Sequence, residues 1–91
     1  MLLNNKSVPF FYIYILKSLE KKFVTYVGYT KNLKNRLKLH NDGKGAKFTR
    51  GRKWHLIYSL KFKNKISALK YEYKLKRDYK LRKSIKEKYS L

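Results

Sequence analysis

The chain has 91 residues, enough for one small domain with a thin core and too few for a second. It carries 25 Lys and Arg against 5 Asp and Glu, and this formal charge of +20 points to a polyanionic partner, nucleic acid before an anionic membrane surface. The lack of cysteine excludes disulfides, thiolate zinc sites and cysteine nucleophiles, and a hydrophobic content of 43% separates the chain from charged disordered segments.

Residues 1–9 read as a flexible N-terminal segment and 10–91 as a single domain. The apolar run "VPFFYIYIL", residues 8–16, falls short of the roughly 20 residues that span a bilayer. "KSLEKK" follows it, with no small-residue cleavage site, so it does not read as a secretion signal either. Its aromatic and β-branched content predicts a buried strand over about 10–17. After the connection "SLEKK" a second strand is predicted over about 23–28, with Gly28 ending it. Thr30 or Asn32 then caps a helix whose narrow apolar face is Leu33, Leu37 and Leu39, and Asn41 to Gly43 supply its C-cap.

All four glycines lie between residues 28 and 51, and "GKGAKFTRGRK" reads as the one extended loop, with five basic residues and no acid. "WHLIYSLKF" predicts a third strand alternating through Trp54, Leu56, Tyr58 and Leu60. From about Lys65 onward there is neither Gly nor Pro, which predicts helix, in two pieces broken near Asp78. The order β-β-α-β-α(-α) defines an α/β (α+β) fold, a three-stranded, mainly antiparallel sheet flanked by helices.

Several side chains carry chemistry. Arg36 and His40 are four apart, one turn above each other on the same helix face. The plain reading is a solvated face, but arginine's fork also suits bidentate contact with phosphate. Tyr14 and Tyr26 belong to the first two strands. Most such tyrosines are core aromatics with satisfied hydroxyls, although dense positive charge favours the phenolate and makes a general base feasible. Glu72 is one of three glutamates. It forms a favourable i,i+4 pair with Lys76, worth a few tenths of a kcal/mol, and it also offers a ligand for Mg²⁺ or Mn²⁺. So few acids leave room for a one-carboxylate site, which suits a single-metal phosphodiesterase rather than a two-metal one.

In this order the residues resemble the GIY-YIG nuclease family, in particular its short single-domain members similar to the N-terminal part of UvrC. "YIYIL" stands for the first motif, with Tyr14 at the GIY tyrosine and Tyr12 where the glycine is named. "YVG", residues 26–28, stands for the second, followed ten residues after Tyr26 by Arg36 and then by His40 in "RLKLHN". "GKGAKFTRGRKW" and "LIYS" look like the signature of the small subgroup, and Glu72 in "ALKYEYKLK" falls at the family's metal-binding glutamate. Tyr29 stands where UvrC-like members often have lysine, and no asparagine follows Asn64.

The resemblance implies an endonuclease that hydrolyses DNA phosphodiesters with one divalent cation, Mg²⁺ or Mn²⁺, in DNA repair or on branched or foreign DNA. In that picture Tyr14 or Tyr26 helps deprotonate water, and Arg36 steadies the scissile phosphate. His40 assists proton transfer, and Glu72 holds the metal. Lys31, Lys34, Lys44, Lys47, Arg50, Arg52 and Lys53 are the expected nucleic-acid contacts. DNA is the expected partner, with RNA left open, and a cytoplasmic monomer without membrane attachment is the expected state. The alternatives are a binding module with little or no turnover on the same scaffold, and a generic basic RNA-associated protein.

Overall fold

The computed structural model describes residues 9–89, and all but Pro9 of the expected N-terminal segment lies outside the described residues. Three strands, β1 (Phe11–Ser18), β2 (Thr25–Thr30) and β3 (Trp54–Phe62), form one antiparallel sheet in the order β2-β1-β3. Three helices join them: α1 (Leu33–Asn41), α2 (Lys65–Arg77) and α3 (Tyr79–Tyr89). The α+β class and the element order are those the sequence predicts.

β1 is central because "YIYIL" is apolar on both faces, and a strand buried on both sides needs a paired neighbour at each edge. Its alternation sorts the core into two layers. Ile13 and Ile15 pack with Val27, Ala68, Leu75 and Ile85 beneath α2 and α3. Tyr14 and Leu16 pack with Trp54, Leu33 and Leu37, so the narrow leucine face of α1 covers the opposite side. Fully burying each of these aliphatic side chains contributes about 1.5–3 kcal/mol.

The caps choose among the sequence alternatives. Asn32, rather than Thr30, caps α1, its Oδ1 accepting the Asn35 N–H at 3.0 Å. Asn64 does the same for α2 through the Ser67 N–H at 3.0 Å. Asp78 closes α2 and opens α3: its N–H donates to the Lys74 carbonyl at 2.9 Å, and its Oδ1 accepts the Leu81 N–H at 2.9 Å. Each such cap is worth about 1 kcal/mol.

Three expectations need correcting. Gly28 does not end the second strand. It lies inside β2 opposite Tyr14, and pairing continues through Tyr29 and Thr30. The third strand does not alternate along its whole length. A register shift pairs Ile15 with Tyr58 but Leu16 with Leu56, leaving Ile57 as the extra residue and putting Leu56 and Tyr58 on opposite faces. The glycine-rich segment is not wholly irregular, because Lys47–Thr49 forms a 3₁₀ turn whose last residue is fully buried.

Candidate active site

The site assembles at the β1–β2 pair, where α1 and the 42–53 loop close over the sheet. Tyr14 faces α1 from the central strand and lies opposite Gly28. A Cβ at Gly28 would stand 2.3 Å from Tyr14 Oη, so the phenol crosses β2 only because that position has no side chain. His40, in the last turn of α1, meets it there: Tyr14 Oη and His40 Nε2 are 2.8 Å apart. Tyr14 is 1% exposed and His40 fully buried.

The loop completes the enclosure. Gly45 passes so close to His40 that a Cβ would stand 2.3 Å from Nδ1. His40 Nδ1 lies 2.8 Å from Thr49 Oγ1. Arg36, one turn before His40, donates from Nη2 to the Gly45 carbonyl at 3.1 Å. Trp54 pins the far end through Nε1 to the Thr49 carbonyl at 2.9 Å. Asn41 clamps Trp54 from both sides, with Oδ1 accepting the Trp54 N–H at 2.6 Å and Nδ2 donating to its carbonyl at 3.1 Å. Asn41, Thr49 and Trp54 carry no charge and fit no catalytic spacing. The sequence marked Asn41 only as part of a helix C-cap, Thr49 only as a member of the glycine-rich signature, and Trp54 only as a member of that signature and of the third strand.

The two tyrosines have different standing. Burial pushes Tyr14 up to about 12, against a smaller opposing pull from the neighbouring Arg36, while the charges of Tyr26 and Glu72 raise it further. The phenol therefore keeps its proton, contrary to the expectation that surrounding cations would favour the phenolate. Burial, with the Arg36 charge beside it, lowers His40 to about 4, so the imidazole is neutral near pH 7. Tyr26 is half-buried, 6.5 Å from the Tyr14 ring between centroids and 5.1 Å from that of His40. Its other neighbour is Phe48, stacked at 6.1 Å and 20°. Thr25, Tyr26, Val27, Phe48, Lys76 and Arg82 line an open cavity of about 300 Å³ beside the site.

Glu72 arrives on α2, whose carboxylate charge reaches Tyr14. Its Oε2 is 3.3 Å from Lys76 Nζ, and its side chain is 19% exposed. The donor chemistry fits a magnesium-type ion, which takes one or two carboxylates and completes its shell with water and phosphate oxygens. Among the described residues no group of three or more His, Cys, Asp or Glu gathers into a metal-binding cluster. Arg36 Nε is buried without a hydrogen-bond partner, an orphaned donor of the kind that marks functional sites.

Of the seven expected nucleic-acid contacts, Lys31, Lys34, Lys44, Lys47, Arg50 and Lys53 are exposed and Arg52 is half-buried. Arg52 and Lys53 have structural duties. Arg52 pairs with Glu20 at 3.0 Å, and Lys53 donates to the Asn41 carbonyl at 3.0 Å. No helix among the described residues is long and apolar enough to cross a membrane.

An antiparallel three-stranded α+β sheet that gathers two tyrosines, an arginine and a histidine on one helix turn, and a glutamate from a later helix, defines a nuclease-type domain. The chain belongs to the GIY-YIG catalytic domain family, whose profile matches residues 10–88. Among its relatives, a UPF0213 protein of Oceanobacillus iheyensis is 47% identical over 66 residues, spanning 71% of this chain and 74% of that one. A UPF0213 protein of Clostridium perfringens is 48% identical over 84 residues, spanning 84% of this chain and 88% of that one. The solution NMR structure of a UPF0213 protein from Bacillus halodurans is similar at 38% identity and a TM-score of 0.50, covering 82% of this chain and 79% of that one. Membership of the family implies nuclease activity and a nucleic-acid substrate.

Proposed function

We propose that the protein is a divalent-metal-dependent endonuclease that hydrolyses DNA phosphodiester bonds. The observation that carries this reading is the sealed Tyr14–His40 hydrogen bond with Arg36 and Glu72 beside it. A phenol held as phenol and an imidazole held neutral make a two-step proton path. As water attacks phosphorus, its proton passes to Tyr14 Oη while the phenolic proton passes to His40 Nε2. The P–O bond to the leaving oxygen then breaks, and that oxygen takes a proton from solvent. His40 gives its extra proton back through Tyr14 to solvent, which restores the neutral pair. Tyr26, the more accessible phenol, orients the incoming water or a phosphate oxygen. Arg36 neutralises the phosphate, and a phosphate oxygen is the acceptor its orphaned Nε lacks. Glu72 would hold the cation, which when bound supplies charge neutralisation at the leaving oxygen. Phosphoryl transfer rests mainly on such positioning and charge neutralisation.

The near-complete burial of Tyr14 also favours a second reading, a nucleic-acid binding module with little turnover on the same scaffold. Cleavage of supercoiled and branched DNA with Mg²⁺ or Mn²⁺ separates the two, with Glu72→Ala and Arg36→Ala alongside. Cutting by wild type and loss in Glu72→Ala supports the enzyme, while equal residual activity in the two overturns it.

A further inference from the structure

Tyr14, His40 and Thr49 form one buried chain of hydrogen bonds, and the number of protons available to it fixes their direction. Thr49 has a single hydroxyl proton and two lone pairs. Its Oγ1 donates to the Ala46 carbonyl at 3.0 Å and accepts the Ala46 N–H at 3.2 Å, the reciprocal bonds that close the 3₁₀ turn. Turning that proton toward His40 would set the lone pairs of Thr49 Oγ1 and the Ala46 carbonyl against each other at 3.0 Å, beside a fully buried side chain. Thr49 therefore presents a lone pair to His40, whose Nδ1 must carry the hydrogen across the 2.8 Å contact.

The other end of the chain accommodates the same arrangement. The Arg36 guanidinium lies near enough to Tyr14 to oppose the rise in its pKa, and a guanidinium only donates. Tyr14 Oη has its acceptor in His40 Nε2 at 2.8 Å. An imidazole with its proton on Nε2 would take that acceptor away from the buried phenolic hydrogen, at a cost of about 1–3 kcal/mol for the unmade bond.

We propose that Thr49 is a positioning residue which, by committing its only proton to Ala46, locks His40 in the Nδ1–H tautomer and so keeps Nε2 free to take the proton of Tyr14. Thr49 touches neither the water nor the phosphate and acts through His40. Without that lone pair the Nδ1–H loses its acceptor at 2.8 Å, and the balance shifts toward Nε2–H. His40 then donates to Tyr14 instead of accepting from it. The relay role rests on the nuclease reading, but the tautomer does not. Gly45 serves the same end by letting the loop carry Thr49 past the imidazole edge.

The test uses the full chain labelled with ¹⁵N-histidine, read by long-range ¹H–¹⁵N correlation at pH 7. The chain has two histidines, and a His55→Gln variant assigns the spectrum. His40 is expected to show a protonated Nδ1 and a bare Nε2 in wild type and in Thr49→Ser, which keeps the hydroxyl. Thr49→Val, of similar shape, is expected to lose that pattern and to lower kcat by about 100-fold with DNA affinity unchanged. Thr49→Ser is expected to restore turnover. A wild-type His40 carrying its proton on Nε2 overturns the proposal without recourse to any variant, as does a folded Thr49→Val that retains the Nδ1–H pattern. If wild type cuts no DNA, the enzyme reading fails while the tautomer measurement still decides the role of Thr49.

Discussion

The Tyr14 hydroxyl lies 2.8 Å from His40 Nε2, a buried contact between side chains 26 residues apart. Removing the hydroxyl leaves the imidazole lone pair buried and unpaired. Tyr14→Phe is expected to cost about 1–3 kcal/mol and to lower Tm by at least about 4 °C. Turnover should fall by at least about 100-fold. Tyr26→Phe, at the half-buried ring, should leave Tm close to wild type. Paired thermal melts and cleavage assays check both, and a Tyr14→Phe protein that melts with wild type would show that the bond contributes nothing.

Under the proposed function, Glu72 is the carboxylate that would hold the cation. Glu72→Ala is expected to abolish metal-dependent cutting and to leave DNA binding intact or tighter, since a negative charge leaves a basic surface. Fluorescence anisotropy with a labelled duplex measures binding, and gel cleavage measures turnover. Weakened binding would instead assign Glu72 a structural role through its 3.3 Å pair with Lys76.

The glycines separate steric from conformational demands. Gly45→Ala places a Cβ against His40 Nδ1 and should displace the imidazole at a cost of about 1–3 kcal/mol, with loss of cutting. Gly43 has φ +77° with nothing within 4 Å of its Cβ position. Gly43→Ala should therefore cost roughly 1 kcal/mol through backbone strain and leave the site working. Melting curves and single-turnover rates for the two variants test the contrast, which disappears if both lose activity equally.

Acid should destabilise the fold through His40. The folded value is lowered to about 4 from 6.5, so between those values the unfolded chain takes up a proton that the folded protein refuses. Stability falls as pH drops from about 6.5 toward about 4 and levels off, for this group, below that. Urea titrations at intervals across this window measure the slope, and His40→Gln should flatten it.

Salt should weaken binding strongly. Six of the seven expected contact cations are exposed, and of these Lys53 is engaged within the protein, as is the half-buried Arg52, which leaves five. If five phosphates are neutralised, log K should fall against log[salt] with a slope of about −4 to −5 on duplex DNA. A flat dependence would rule out backbone-dominated binding.

The sequence by itself determined the element order, a cap for the first helix at Thr30 or Asn32, a helix break near Asp78, the i,i+4 stacking of Arg36 on His40, and the family. These depend on local periodicity and on spacing along a single helix or strand. The tertiary structure alone decided which tyrosine is sealed, where Gly28 sits and what Thr49 does. Gly28 looked like a strand terminator because nothing in "VTYVG" shows that the Tyr14 ring must cross it. Thr49 looked like a loop residue because its partners, His40 on a helix and Ala46 in a tight turn, meet it only when the loop folds back under Trp54. Hydrogen-bond direction in a closed network depends on how many protons all its members share, and that number exists only once the chain has brought them together.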